Sequence, residues 1–172
     1  MSAHITGRRT RDGRTSWASS ASTRSSMQAN KSRDTKPELA LRSAVHALGL
    51  RFRVATRPLP KVRRTADLVF TRVRLAVFLD GCFWHGCPQH HTLSATNTVY
   101  WTEKVETNRR RDRQTDHWLH DAGWEVLRVW EHEDPVAAAL RVQEAYEQRS
   151  EVIETRAAER ASVHRRSRSS HT

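Results

Sequence analysis

At 172 residues the chain has room for about one domain with tails, and its 37% apolar content lies below the roughly 45–50% of globular chains. Thirty Lys and Arg against 19 acidic residues leave a net charge of +11, a field that draws polyanions, of which nucleic acid is the commonest in a cell. No apolar run reaches the ~18 residues of a membrane helix and the start lacks a signal-peptide core, which excludes a spanning protein and sets a cytoplasmic expectation.

Residues 1–30 are rich in Ser, Thr and Arg and nearly empty of branched apolar side chains. They read as a basic, disordered arm that cannot bury enough surface to offset its ordering entropy. A domain is expected over 31–150 and a basic tail over 151–172, with 160–172 read as disordered like the arm. Thr35-Lys36-Pro37-Glu38 carries the spacing of a capping box, and Leu41, Val45 and Leu48 follow at helical intervals up to Gly49. Arg51 to Ala55 alternates as a strand does. After a turn-rich stretch, Ala66–Phe70 and Arg74–Asp80 are β-branched and apolar runs that read as paired strands. Residues 81–97 read as a loop dense in Cys, His and Pro. A long helix is predicted over Tyr100–Ala122, closed by Gly123, then a strand over Trp124–Trp130 and a helix from Asp134 to about Glu154. The order αβββαβα predicts a mixed α/β domain with helices packed on a sheet.

Two cysteines are too few for a disulfide scaffold and read as cytosolic thiols or metal ligands. Cys82, Cys87, His90 and His132 form an N/S set suited to structural Zn²⁺, with His91 able to replace His90. The alternative is two free thiols in a His-rich loop. Asp67 opens one strand and Asp80 ends the next; carboxylates there suit Mg²⁺, or simply form turns. Glu38 can serve a cap, a metal site, or both. Trp101, Val105, Asn108, Asp112, Thr115 and Leu119 share one face of the long helix. A carboxylate at position 112 therefore needs a partner: a ligand, a cation, or one of the core arginines. His85 can move protons near neutral pH. Phe83 and Trp84 are neighbours whose side chains diverge, so at least one is expected to be exposed and able to stack on or wedge between bases, the alternative being a pair packed against the zinc loop.

Ala66-Asp67-Leu68-Val69, Val77 through Pro88 with its run GCFWHGCP, Tyr100-Trp101…Lys104…Asn108…Arg111-Asp112-Arg113 and Gly123-Trp124…Val129-Trp130-Glu131 resemble the very-short-patch repair (Vsr) endonucleases. Arg24-Ser25…Met27 and Arg33-Asp34-Thr35…Glu38 extend the likeness, which spans roughly residues 24–148. The resemblance implies a restriction-endonuclease-like mixed sheet flanked by helices, with a structural zinc loop. It implies an enzyme that nicks one strand of duplex DNA 5′ to the thymine of a T·G mismatch, the lesion left when 5-methylcytosine deaminates.

It also implies roles for particular residues. Asp67 and the backbone carbonyl of Leu79 would hold Mg²⁺, with Glu38 assisting through metal-bound water. His85 would act as general acid–base and Asp112 would orient it. Cys82, Cys87, His90 and His132 would hold Zn²⁺. Met27, Phe83, Trp84, Trp101, Asn108 and Arg111 would meet DNA, with Trp101 divided between wedge and core. Asp80 departs from the family pattern, standing where the best-known member has a His, and the zinc set departs in using Cys87 and His132. The partner would be mismatched duplex DNA, mismatch-repair proteins remain open as further partners, and monomer is the default. A non-catalytic zinc-bearing DNA-binding module and a different nuclease of the same fold are the alternatives.

Overall fold

The computed structural model describes residues 33–92 and 97–169 (163–169 by backbone alone) and the backbone of Arg8–Arg9 and Thr15–Ser16. The chain divides into two units, Met1–Thr35 and Lys36–Thr172. In the first, β1 (Arg8–Arg9) pairs antiparallel with β2 (Thr15–Ser16), Arg8 opposite Ser16 and Arg9 opposite Thr15. The rest of the expected disordered arm, Met27 included, lies outside the described residues.

The second unit opens with α1 (Lys36–Ala47), where Pro37 costs no hydrogen bond in a first turn and Leu41 and Val45, one turn apart, are buried. There follow β3 (Arg53–Thr56), β4 (Ala66–Phe70), β5 (Leu75–Asp80), a single turn α2 (Cys82–His85), α3 (Thr98–Asp121), β6 (Glu125–Trp130) and α4 (Pro135–Ser169). Gly123, at φ +79°, takes the left-handed position after α3, and the Trp124 N–H returns to the Leu119 carbonyl at 2.9 Å. Asp134 caps α4: its Oδ1 accepts the N–H groups of Val136 and Ala137 at 3.0 and 2.9 Å, ahead of Pro135 at the first helical position.

In the first unit β1 and β2 form a strand pair within the arm read as disordered, and in the second unit two elements differ from expectation. The polar loop after β5 contains the turn α2, and α4 runs past Glu154 to Ser169, so that the basic tail continues a helix. Residues 136–169 hold no Gly or Pro and are rich in Ala, Glu and Arg, whose helix propensities are high. No helix among the described residues is long and apolar enough to cross a membrane.

The sheet has the order β3-β4-β5-β6, antiparallel up to β5 and parallel between β5 and β6. Alternation along the strands sends Leu68, Phe70, Leu75, Val77 and Val129 to one face, against Leu41 and Val45 of α1 and Ala138, Ala139 and Val142 of α4. Val69, Ala76 and Phe78 face the other way, toward Leu119 of α3 and Trp124. Fully burying such a Leu or Val stabilises the fold by about 1.5–3 kcal/mol relative to exposure. The start of β4 and the ends of β5 and β6 share one edge of this mixed α/β layer, because Leu68 pairs with Val77 and Asp80 with Trp130.

Candidate active site and metal centre

At that edge β4 and β5 part. Their pairing stops at Leu68 opposite Val77, while β5 continues to Asp80. Asp67 fills the opening, and its Oδ2 accepts the Leu79 N–H at 2.7 Å. In a strand the N–H and C=O of one residue point the same way, so the Leu79 carbonyl faces the Asp67 side. The Asp80 carbonyl points oppositely and accepts the Glu131 N–H at 3.0 Å. Burial raises the Asp67 pKa to about 6; Glu38 and Asp80 add to the rise, against the Leu79 N–H and Arg42. Glu38 is itself buried on α1 and accepts Arg42 Nη2 at 2.8 Å. An acidic pocket with a carbonyl on its rim suits a hard divalent cation.

A second group forms between β5, α2 and α3. His85 Nδ1 lies 2.6 Å from Asp112 Oδ2 and 3.5 Å from Asp80 Oδ1. Burial works against the imidazolium, but the hydrogen bond to Asp112 and the charges of Asp80 and Asp112 outweigh it and raise the His85 pKa. Asp112 is lowered: burial opposes its charge, and the His85 hydrogen bond with the charges of Arg128, His85 and Arg64 prevails. Burial lifts Asp80 above the usual carboxylate range, and Arg128 draws it back toward the charged form.

Arg128 was not among the residues expected at the site. Its Nη1 donates to both Asp80 oxygens at 2.9 Å, and its Nε and Nη2 donate to Asp116 at 3.1 and 2.9 Å. Burial disfavours the guanidinium, yet the hydrogen bonds to Asp116 and the charge of Asp80 hold its pKa above the ordinary value. In sequence it looks like a solvent-facing strand residue in WEVLRVW. Only the meeting of β6 with α3 and β5 reveals its role.

The turn bearing His85 is pinned by α3. Asn108 Nδ2 donates to the Trp84 carbonyl at 2.8 Å, Arg109 Nε donates to the His85 carbonyl at 3.2 Å, and Arg109 Nη2 reaches the Gly86 carbonyl. Asn108, expected at the DNA, thus holds backbone. Gly86 ends α2 at φ +66°, where a Cβ would meet Arg109 Nη2 at 2.5 Å and Val105 Cγ1 at 2.7 Å. Phe83 sits edge-on to Trp84 and to Trp101, with centroids 5.2 Å away in each case. Trp101 is half-buried, Trp84 is exposed, and Arg111 is exposed on α3.

Cys82, Cys87, His90 and His132 place one donor atom each within 4.8 Å of one another. His132 Nδ1 lies 3.1 Å from Cys82 Sγ and 3.6 Å from Cys87 Sγ, and His90 Nδ1 lies 3.9 Å from Cys87 Sγ. Tetrahedral Zn–S and Zn–N bonds put adjacent S and N donors about 3.5 Å apart, which these distances bracket. Burial, then the neighbouring Cys87 thiol, pushes the Cys82 thiol up to about 11, so a thiolate pair here calls for a cation. The donors fit a closed tetrahedral metal. His91 stays out of the group and lies against the Phe83 ring, centroids 6.0 Å apart.

The family model for DNA mismatch endonuclease Vsr matches residues 18–91. The chain is 50% identical over 119 residues to the type II nicking enzyme V.NaeI of Lentzea aerocolonigenes, covering 66% of this chain and 72% of that one. It is 35% identical over 126 residues to the type II nicking enzyme V.HpaIIP of Haemophilus parainfluenzae, covering 70% and 86%. Against the DNA mismatch endonuclease Vsr of Escherichia coli K12 it is 41% identical over 109 residues, covering 61% and 66%. A mixed sheet with an acidic strand edge, a His–Asp pair and a Cys/His cluster accompanies these likenesses, and the chain belongs to the Vsr family of DNA mismatch endonucleases.

Proposed function

We propose that this protein nicks one strand of duplex DNA 5′ to the thymine of a T·G mismatch, using Mg²⁺ for chemistry and Zn²⁺ for structure. The observation that carries the reading is the 2.6 Å His85–Asp112 contact beside the acidic Asp67 opening, in a chain of this family. Asp67 and the Leu79 carbonyl would hold Mg²⁺, with Glu38 acting through water; when bound, the ion supplies Lewis-acid stabilisation of the leaving oxygen and polarisation of water. Asp112 takes one imidazole nitrogen of His85 and fixes the ring. The other nitrogen is left to exchange a proton with the attacking water or the departing 3′ oxygen. Cys82, Cys87, His90 and His132 would hold Zn²⁺ and tie the α2 turn to the end of β6.

DNA binding follows from charge and stacking. The exposed Trp84, with Phe83 and Trp101 behind it, forms an aromatic edge that can enter a base step, and a mismatched step costs less to open. Arg111, exposed on α3, would hold phosphate, and Met27 would meet the groove on family likeness alone.

Incubating matched and T·G-mismatched duplexes with and without Mg²⁺ tests the reading. Mg²⁺-dependent nicking of the mismatched strand is expected, with Asp67→Ala inactive and His85→Ala reduced about 100-fold or more while both still bind DNA. Nicking at or near the wild-type rate in either variant overturns the site; equal nicking of matched duplexes overturns the substrate. A second reading, nicking at a different mismatch or sequence context, is favoured by the relatives named type II nicking enzymes. The same substrate panel separates the two.

A further inference from the structure

Asp80, His85 and Asp112 place donor atoms within 4.8 Å of one another, close enough to share a cation. A guanidinium already stands there. Arg128 Nη1 is 2.9 Å from both oxygens of Asp80, and Nη2 is 3.5 Å from Asp112 Oδ1. Its remaining N–H groups are committed to Asp116, and its Cζ lies 4.9 Å from the centroid of the Phe78 ring. Asp80 is almost fully buried, at 7% side-chain exposure, and Arg128 retains 23%. Three carboxylates from β5 and α3 thus converge on one planar cation whose fork fixes each in direction as well as in charge.

Both carboxylates beside His85 depend on that fork. Asp112 and Asp80 each approach His85 Nδ1, at 2.6 and 3.5 Å, and only one can hold the ring in the productive orientation. Arg128 binds Asp80 on both oxygens and leaves the imidazole to Asp112. We propose that Arg128 is a positioning residue: it takes the place of a cation between Asp80 and Asp112, assigns His85 to Asp112, and keeps divalent metal out of the Asp80–His85–Asp112 group. Metal is thereby confined to the Asp67 opening. The inference rests on the nuclease reading above and accounts for a carboxylate at position 80. There Asp80 is neither a metal ligand nor a proton carrier but the counter-charge that orients Arg128.

The test uses the full protein with Arg128→Met, Arg128→Lys and the Asp80→Asn/Arg128→Met double variant. Mn²⁺ binding is counted by electron paramagnetic resonance without DNA, and single-strand nicking is followed with Mg²⁺. Arg128→Met is expected to bind about one further Mn²⁺ per chain and to lose about 10- to 100-fold in kcat with KM little changed. Arg128→Lys keeps the charge but not the fork; its Mn²⁺ count stays at the wild-type value and its kcat falls between the two. Removing Asp80 as well abolishes the additional Mn²⁺.

Wild-type Mn²⁺ stoichiometry and kcat in folded Arg128→Met overturn the proposal. So does a loss that tracks only the folded fraction, which a merely structural arginine would give. If Arg128→Met does not fold, Arg128→Lys decides: an unchanged kcat overturns the proposal, because an ammonium cannot bridge both carboxylates. Failure of the wild-type protein to nick any duplex would instead count against the nuclease reading, and the Mn²⁺ counts would still judge Arg128.

Discussion

His85 is the side chain on which most of the local chemistry converges, and its titration has a sign that can be measured. Its folded pKa is raised from 6.5 and that of Asp112 is lowered from 3.8, so the pair stabilises the fold between those values. That stability fades as pH rises through the folded value of His85, and again as pH falls through that of Asp112. Asp112→Asn should therefore lower Tm most between pH 3.8 and 6.5 and less as His85 discharges, a remainder persisting from the Arg128 contact. Asp80, Arg128 and Arg64 are the other charges facing the pair. A Tm difference that stays flat from acid to alkaline pH would contradict this linkage.

Gly86 is the second single-residue test. Alanine there adds a left-handed backbone penalty to a collision with Arg109 and Val105. Gly86→Ala should lose about 1–3 kcal/mol in urea unfolding and displace the turn that carries His85. Residue types told the sequence reading which chemistry was available. They could not pair Arg128 with Asp80, 48 positions away, because nothing in a strand's alternation marks a charge that turns inward to meet another.

Elements were legible where periodicity and caps agreed. The runs of β4, β5 and β6 and the long helix α3 fall within a residue or two of their expected bounds, and Asp134 opens α4 as its chemistry suggests. The turn α2 was not legible, since four residues are too few to show a helical period. Its order comes from outside: the α3 side chains Asn108 and Arg109 hold its carbonyls, and the Glu131 carboxylate accepts the Cys82 N–H at 2.7 Å. A metal at the Cys/His group would be the remaining tether. Cys87→Ser, or a zinc-selective chelator, should release about one Zn²⁺ per chain, lower Tm by ~5 °C or more and reduce nicking, although neither treatment removes a proton-transfer group. Metal analysis without zinc, together with an unmoved melting curve, would refute that tether.

For the molecule as a whole, the +11 charge is distributed unevenly along the chain. Packing of α4 on the sheet reaches as far as Ile153, and beyond it the helix continues to Ser169. Residues 161–172 carry three Arg and no acid. Deleting them should leave Tm unchanged, weaken binding to matched DNA and reduce the slope of log K against log salt by up to about 2.7. Saturated nicking should not change, and a lower kcat in the truncated protein would show that the helix end serves catalysis. Charge and composition pointed to a polyanion partner without locating it; burial and distance place the proposed chemistry at one sheet edge, where composition gives no signal.

Asp80 and Trp130 are opposite one another in the parallel pair, and Cys82 and His132 each follow two positions later. The two segments therefore leave the sheet in step, and the sulfur and imidazole arrive together. An insertion between Asp80 and Cys82 would break that synchrony unless matched by another between Trp130 and His132. Length changes at these two junctions should consequently be tolerated only as coupled pairs, even though about fifty residues of chain separate them.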